Sequence, residues 1–233
     1  MPHSIKTLGF DADDTLWHNE RFFQLTETRF TELLSDHAEG DHLRQRLLAA
    51  ERRNVGHYGY GIKGFTLSMI ETAIEVTGGN VPGHVIGEIL EAGRAMLSHP
   101  VEPLPHVEAT LKVVSTEFQL VLITKGDLFD QERKVAESGL ANYFKAVEVV
   151  SEKDDATYAR IFSRHGAGAD KAMMIGNSMK SDILPALSAG AHGVHVPYEI
   201  TWAMEKADAP SSTERFHRLA HLGELTDLLA QIG

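Results

Sequence analysis

The sequence has no cysteine among its 233 residues. That absence excludes disulfides, thiolate zinc sites, iron–sulfur clusters and a cysteine nucleophile in one step. Positive charge is scarce: 22 Lys and Arg stand against 33 Asp and Glu, a formal net charge of −11. Such a chain lacks the basic face that sequence-independent nucleic-acid binding needs, although a local site can still be positive inside an acidic protein. No apolar run approaches the length of a membrane span, and the opening residues MPHSIKTLGFDADD run into acids without the apolar stretch of a signal peptide. The expectation is a cytoplasmic protein with no nucleic-acid and no membrane partner. What is present, 42% hydrophobic and 24% charged residues, is ordinary globular composition in a chain long enough to bury a sizeable core.

The hydrophobic pattern changes character along the chain. Ser4 to Asp11 is a short β-like run ending in acids. Four helical patterns follow, carried by Phe22, Phe23, Phe30, Leu33 and Leu34, by Leu43, Leu47 and Leu48, by Leu67, Ile70 and Ile74, and by Val85, Ile86, Ile89, Leu90 and Leu97. Gly78-Gly79-Asn80-Val81-Pro82 separates the last two. After the proline-rich stretch Pro100 to Pro105, strands and helices alternate. The expected helices are His106–Glu117, Gln131–Gly139, Ala156–His165, Lys180–Ala189 and Leu222–Ile232. The expected strands are Phe118–Thr124, Phe144–Val150, Ala172–Ile175 and Gly193–Val196. Such alternation predicts a parallel sheet covered by helices. The expected organisation is an α/β core from residues 1–17 and 100–233, interrupted by a helical domain at 18–99.

In open parallel sheets, ligands sit at the carboxyl ends of the strands. The predicted strand ends carry Asp11-Ala12-Asp13-Asp14-Thr15, Thr124-Lys125-Gly126, Ser151-Glu152-Lys153 and Gly176-Asn177-Ser178, with Asp182 in the following turn. This collection suits phosphoryl transfer. Asp11 can attack phosphorus and form an aspartyl-phosphate. Asp13 can protonate the leaving oxygen and later deprotonate water. The Thr124 hydroxyl and neighbouring N–H groups can bind phosphate oxygens, with Lys125 contributing its backbone N–H while its side chain could equally point to solvent. Lys153 can offset the charge of carboxylate and phosphate together. Asn177 and Asp182 add hard oxygen atoms for Mg²⁺.

These residues resemble the motifs of the haloacid dehalogenase superfamily, in its phosphatase branch. Asp11-Ala12-Asp13-Asp14-Thr15-Leu16 resembles the first motif, Leu122-Ile123-Thr124 the second, Glu152-Lys153 the third, and Gly176-Asn177-Ser178 through Asp182 the fourth. The resemblance implies a three-layer Rossmannoid core with a parallel central sheet and an inserted α-helical cap. It implies Asp11 as nucleophile, Asp13 as acid and base, and Thr124 and Lys153 at the phosphate. It also implies Mg²⁺ held by the Asp11 carboxylate, the Asp13 backbone carbonyl and the fourth motif, with a small phosphorylated metabolite as substrate. One departure stands out: the fourth motif usually carries an acid where this chain has Asn177, so its metal site loses a formal charge. Asn177 can alternatively be read as a turn residue before a helix.

Asp13 separates branches of the superfamily, because dehalogenases and phosphonate-cleaving relatives lack an acid there. Its neighbour Asp14 better fits an Asx-turn or helix cap. A phosphomutase shares the first half-reaction and remains an alternative, as does a catalytically silent binding or regulatory protein; against the latter, Asp11 and Asp13 both stand. Gly59-Tyr60-Gly61-Ile62-Lys63-Gly64 spells a dinucleotide fingerprint but follows a charged helical pattern, not a strand, so it is read as a loop. In capped relatives such a loop selects substrate, which makes Lys63 and Tyr60 candidate substrate-binding residues; a solvated loop lysine is the plain alternative. The 13 histidines show no H-E-x-x-H or paired-ligand spacing. Trp202 stands in a long segment after the last predicted strand and could cover the site or simply pack.

Overall fold

A computed structural model of the protein describes residues 5–210 and 214–232; Ser4, at the head of the expected first strand, lies outside the described residues. Six strands form one sheet: β1 (Thr7–Phe10), β2 (Gln119–Lys125), β3 (Ala146–Val150), β4 (Ala172–Gly176), β5 (His192–His195) and β6 (Phe216–Arg218). Their order is β3-β2-β1-β4-β5-β6, and every neighbouring pair is parallel. The helices are α1 (Glu20–Leu33), α2 (Gly40–Tyr58), α3 (Ile62–Val76), α4 (Gly83–Leu97), α5 (Val107–Val114), α6 (Leu128–Glu137), α7 (Asp155–His165), α8 (Leu184–Ser188) and α9 (Leu225–Ile232).

Alternation along the strands sorts side chains onto two faces. Leu8, Phe10, Leu120, Leu122, Met173 and Ile175 enter one apolar layer with Val107 and Leu111 of α5 and Leu225 and Leu229 of α9. Val121, Ile123, Ala172 and Met174 enter a second layer with Tyr158, Ile161 and Phe162 of α7. Full burial of each large side chain contributes about 1.5–3 kcal/mol, so the central strands are held from both sides. The register sets Phe10 beside both Leu122 and Ile175, and the Asp11 N–H still bonds the Ile175 carbonyl at 2.9 Å. The residues following β1, β2 and β4 therefore leave one edge of the sheet together.

The chain divides into two compact units. One holds the sheet and comprises the residues up to Glu20, Val101–Lys125 and those from Gln131 onward. The other comprises Arg21–Pro100 and Gly126–Asp130, with its own apolar core of Phe30, Leu34, Leu43, Leu47, Phe65, Met69, Val85 and Ile89. Gly126–Asp130 follow β2 directly, yet they pack with the helical unit, where Lys63 Nζ meets Asp127 Oδ1 at 2.9 Å. Helix α6 consequently begins at Leu128, ahead of the expected Gln131, with Asp127 Oδ1 accepting the Asp130 N–H at 3.2 Å.

Three local differences from the sequence pattern have physical causes. The loop expected around Tyr60 is only Gly59–Gly61, with Gly59 at φ +74° and Gly61 at φ +104°; Lys63 and Gly64 already belong to α3. A Cβ on Gly64 would stand 2.8 Å from the Gly59 carbonyl, so this glycine lets the turn fold back on the helix rather than loosening it. Strand β6 pairs with β5, but three residues give no readable period. The expected helix 180–189 is a π turn at Met179–Ile183 followed by the short α8. Pro185 has no N–H for the Ser181 carbonyl four residues back, and the Tyr158 hydroxyl donates to that carbonyl instead, at 2.9 Å.

Candidate active site

The turn after β1 is built by short backbone bonds. Leu16 N–H donates to the Ala12 carbonyl at 2.8 Å and Asp14 N–H to the Trp17 carbonyl at 2.8 Å. Asp14 takes φ +64°, tolerable for an aspartate, and its carboxylate accepts the N–H groups of Asn19 (2.8 Å) and Glu20 (3.0 and 3.1 Å). It thus caps the entry to α1, the reading that its place in the sequence suggests. With the chain turned in this way, Asp11 is free to face the ends of the neighbouring strands.

Asp11 is buried and shares its two oxygens between two partners. Oδ1 accepts from Lys153 Nζ at 2.5 Å, and Oδ2 accepts from the Thr15 hydroxyl at 2.9 Å. Lys153, only 2% exposed, also donates to Asp182 Oδ1 at 2.7 Å. Asp182 is fixed in turn by the Ser178 N–H on Oδ2 at 2.9 Å. Residues that follow β1, β3 and β4 thus meet around one ammonium group. Burial pushes the Asp11 carboxyl up to about 7, with Asp182 adding repulsion and Lys153 opposing both. Burial alone would lower Lys153, but Asp11 and Asp182 outweigh it and hold the ammonium well above its ordinary value. Removing one member of such a buried group costs about 3–5 kcal/mol, because it strands the other charge.

Asp13 faces a different set. Its Oδ1 accepts from Trp17 Nε1 at 2.7 Å and from Lys134 Nζ at 2.6 Å; its Oδ2 accepts from Lys134 Nζ at 2.8 Å and Gln131 Nε2 at 2.9 Å. Burial alone would raise this carboxyl, but Lys134 and these hydrogen bonds hold it below the usual carboxylate range. Gln131 Oε1 is buried with no hydrogen-bond partner among the described residues. An unsatisfied buried acceptor of this kind costs about 1–3 kcal/mol, a cost consistent with fixing the amide toward Asp13.

Asn177 sits beside Asp11 through Thr15: the Thr15 hydroxyl lies 3.3 Å from Asn177 Oδ1 and accepts the Asn177 N–H at 3.1 Å. Thr124 is the penultimate residue of β2 and is buried. The Lys125 side chain does not run to solvent; it is 10% exposed and donates to Ser181 Oγ (2.8 Å), Glu205 Oε1 (3.0 Å) and Glu152 Oε1 (3.2 Å). Lys63 and Tyr60 stand in the helical unit, Lys63 paired with Asp127 and 5.9 Å over the Phe129 ring.

The haloacid dehalogenase-like hydrolase family matches residues 5–190. The protein belongs to that family. A haloacid dehalogenase-like family hydrolase from Xanthomonas campestris is 41% identical, with a TM-score of 0.87 over 99% of this chain and 94% of the other. The HAD-hydrolase YfnB from Bacillus subtilis, in a structure bound to magnesium, has a TM-score of 0.66 at 17% identity over 97% of this chain and 98% of its own. Among curated proteins, the glyceraldehyde 3-phosphate phosphatase of Methanothermobacter thermautotrophicus is 25% identical over 214 residues, covering 85% of this chain and 88% of that protein.

The donor set of this HAD-like hydrolase fits a hard divalent cation. Asp11 Oδ2 and Asn177 Oδ1 share the Thr15 hydroxyl, and the Asp182 carboxylate reaches the same lysine as Asp11. Among the described residues no three His, Cys, Asp or Glu side chains form a closed metal cage. Two carboxylates with an amide oxygen instead suit Mg²⁺, which keeps several of its waters. No helix among the described residues is long and apolar enough to cross a membrane. The sequence reading gave no role to Thr15, Gln131, Lys134 and Glu205. A signal for two of them exists: Gln131 and Lys134 are one helical turn apart beside Val135, and with Asp130 they put three polar residues among the buried positions of α6. Glu205 carries no such signal, since its segment has no periodicity.

Proposed function

We propose that this hydrolase cleaves small-molecule phosphate monoesters through an aspartyl-phosphate on Asp11, with Mg²⁺ as cofactor. The observation that carries this reading is Asp13, an acid two residues beyond Asp11, held by three donors. A halide leaves without a proton, whereas an alkoxide needs one. The 25% identical relative whose name is glyceraldehyde 3-phosphate phosphatase supports the same reaction class.

In this reading Asp11 attacks phosphorus in line and the P–O bond to the leaving group breaks. Asp13, ionised at rest under the hold of Lys134, takes up a proton from solvent, gives it to the departing oxygen, and, ionised again, removes one from the water that attacks the aspartyl-phosphate. Lys153 balances the negative charge of Asp11 and of the phosphoryl oxygens, and Thr124 with the N–H groups after β2 binds those oxygens. Asp11, the Asp13 carbonyl, Asn177 and Asp182 would hold Mg²⁺, which supplies charge neutralisation at the phosphoryl group. Lys63 and Tyr60 are assigned to substrate selection.

The test is a panel of phosphorylated metabolites and 2-haloacids, assayed with Mg²⁺ and with EDTA, alongside Asp11→Asn. The expected outcome is Mg²⁺-dependent phosphate release, abolished by EDTA and reduced at least about 10³-fold by the substitution. Halide release without phosphate release overturns the reading. Transfer of the phosphoryl group to a second sugar hydroxyl rather than to water identifies a mutase.

A further inference from the structure

Of the buried polar side chains of helix α6, Gln131 and Lys134 address one carboxylate. Lys134 is only 9% exposed on its side chain. Its ammonium donates to both oxygens of Asp13, at 2.6 and 2.8 Å, and more distantly to Asn19 Oδ1 at 3.3 Å. Gln131 lies one turn earlier and gives Nε2 to Asp13 Oδ2 at 2.9 Å, with a weaker contact to the Lys125 carbonyl at 3.3 Å. Trp17 Nε1 completes the set from the turn that carries Asp13 itself. A carboxylate gripped through both oxygens from two elements has its plane and direction fixed, which a single hydrogen bond cannot do. Burying an ammonium is unfavourable unless it is paired.

We infer that Lys134, seconded by Gln131, is a positioning residue that aims the Asp13 carboxylate for proton transfer. The inference rests on the phosphatase reading. Neither residue is assigned contact with the substrate; both act through Asp13. Two consequences follow from that indirect role. Loss of Lys134 should matter only while Asp13 is there to be aimed. It should also slow the half-reaction that depends on Asp13 most. With an aryl phosphate the leaving group departs with little proton help, so Asp11 is still phosphorylated quickly. Attack of water on the aspartyl-phosphate still needs Asp13 as base, so that step becomes limiting.

The experiment is rapid-quench kinetics with p-nitrophenyl phosphate and Mg²⁺ on the full chain, comparing the wild type, Lys134→Met, Lys134→Arg, Asp13→Asn and the double variant Asp13→Asn/Lys134→Met. For Lys134→Met the expected result is a burst of about one p-nitrophenol per active site, then a steady rate lowered at least roughly tenfold, a fraction of the 10²–10⁴-fold that a general acid–base group contributes. Lys134→Arg should recover part of the steady rate. The double variant should be no slower than Asp13→Asn alone, the non-additivity expected of residues that act as a unit. Gln131→Met should show the same burst with a smaller loss, and it carries the test with Lys134→Arg if Lys134→Met does not fold. Independent, multiplying losses in the double variant, or a slower steady rate with no burst, overturn the inference while leaving the phosphatase reading in place. A wild-type steady rate in both Lys134→Met and Gln131→Met overturns it as well. Absence of p-nitrophenol release by the wild type overturns the phosphatase reading and this inference together.

Discussion

Asp13 and Asp14 are adjacent in sequence and opposite in electrostatics. Lys134 holds Asp13 below the usual carboxylate range against the effect of burial. Burial pushes the Asp14 carboxyl up to about 7 despite the N–H groups of Asn19 and Glu20, and Asp13 and Asp11 add repulsion. An acid raised in the folded state binds more protons folded than unfolded between its two pKa values, so stability falls as pH rises through that window. For Asp14 the window runs from its ordinary 3.8 to about 7. Asp14→Asn keeps an acceptor for the α1 cap and removes the ionisation. We expect denaturation midpoints of the variant, measured in metal-free buffer, to fall less between these pH values than those of the wild type; parallel curves would refute the assignment. Asn177 allows a second check at this scale. It stands next to Asp11 through Thr15, so Asn177→Asp returns a formal charge to the proposed cation site. Mg²⁺ titration of activity should show a lower half-saturating concentration, by several-fold, and an unchanged value would place Asn177 outside the site.

Among the elements, the segment from β4 to α8 is the most constrained. A Cβ on Gly176 would run into the carboxyl group of Asp182 and lie 2.6 Å from its Cβ. Asp182 cannot retreat easily, because Ser178 Oγ accepts the Ser181 N–H at 3.0 Å and fixes the start of the π turn. Gly176→Ala should destabilise the protein by about 1–3 kcal/mol and displace Asp182 from Lys153, lowering activity as well. Gly87→Ala on α4 is the control, since nothing stands within 4 Å of its added Cβ; it should be neutral or stabilising by up to about 1 kcal/mol. Equal midpoints for the two variants would contradict this. The sequence shows why some of this was readable and some not. The continuous apolar run at 118–124 marks a strand buried on both faces, and β2 occupies it. The acids after β1 and the oxygens after β4 mark a common edge, because parallel strands must deliver them there. The π turn was not readable, since it depends on Tyr158 reaching the carbonyl that Pro185 leaves without its usual partner. Nor were the partners of Asp13, since Gln131 and Lys134 come to it from a helix more than a hundred residues away.

At the scale of the whole molecule, the chain passes between its two units within a single helix: Leu128 to Asp130 of α6 belong to the helical unit, and Gln131 onward to the sheet unit. The same helix therefore carries the partners of Asp13 and, one residue before its start, the partner of Lys63. Lys63 and Asp127 are 54% and 27% exposed on their side chains, and an ion pair in that setting contributes about 0–1 kcal/mol. Its loss should barely change stability, so kinetic effects of altering it report on substrate. If Lys63 selects substrates that carry a second anionic group, Lys63→Ala should raise KM for such a phosphorylated metabolite by roughly two- to fivefold, the equivalent of a partly screened charge pair. KM for p-nitrophenyl phosphate should stay as it is. Asp127→Asn is expected to act in the opposite direction: it keeps an acceptor for the Asp130 N–H but removes the competing carboxylate, so KM for the anionic metabolite should fall. Opposite signs from two neighbours in contact are hard to obtain from general loosening of the turn. Should both substitutions raise KM for both substrates, Lys63 and Asp127 only maintain the shape of the Gly59–Gly61 turn, and the charge that discriminates among substrates must lie elsewhere.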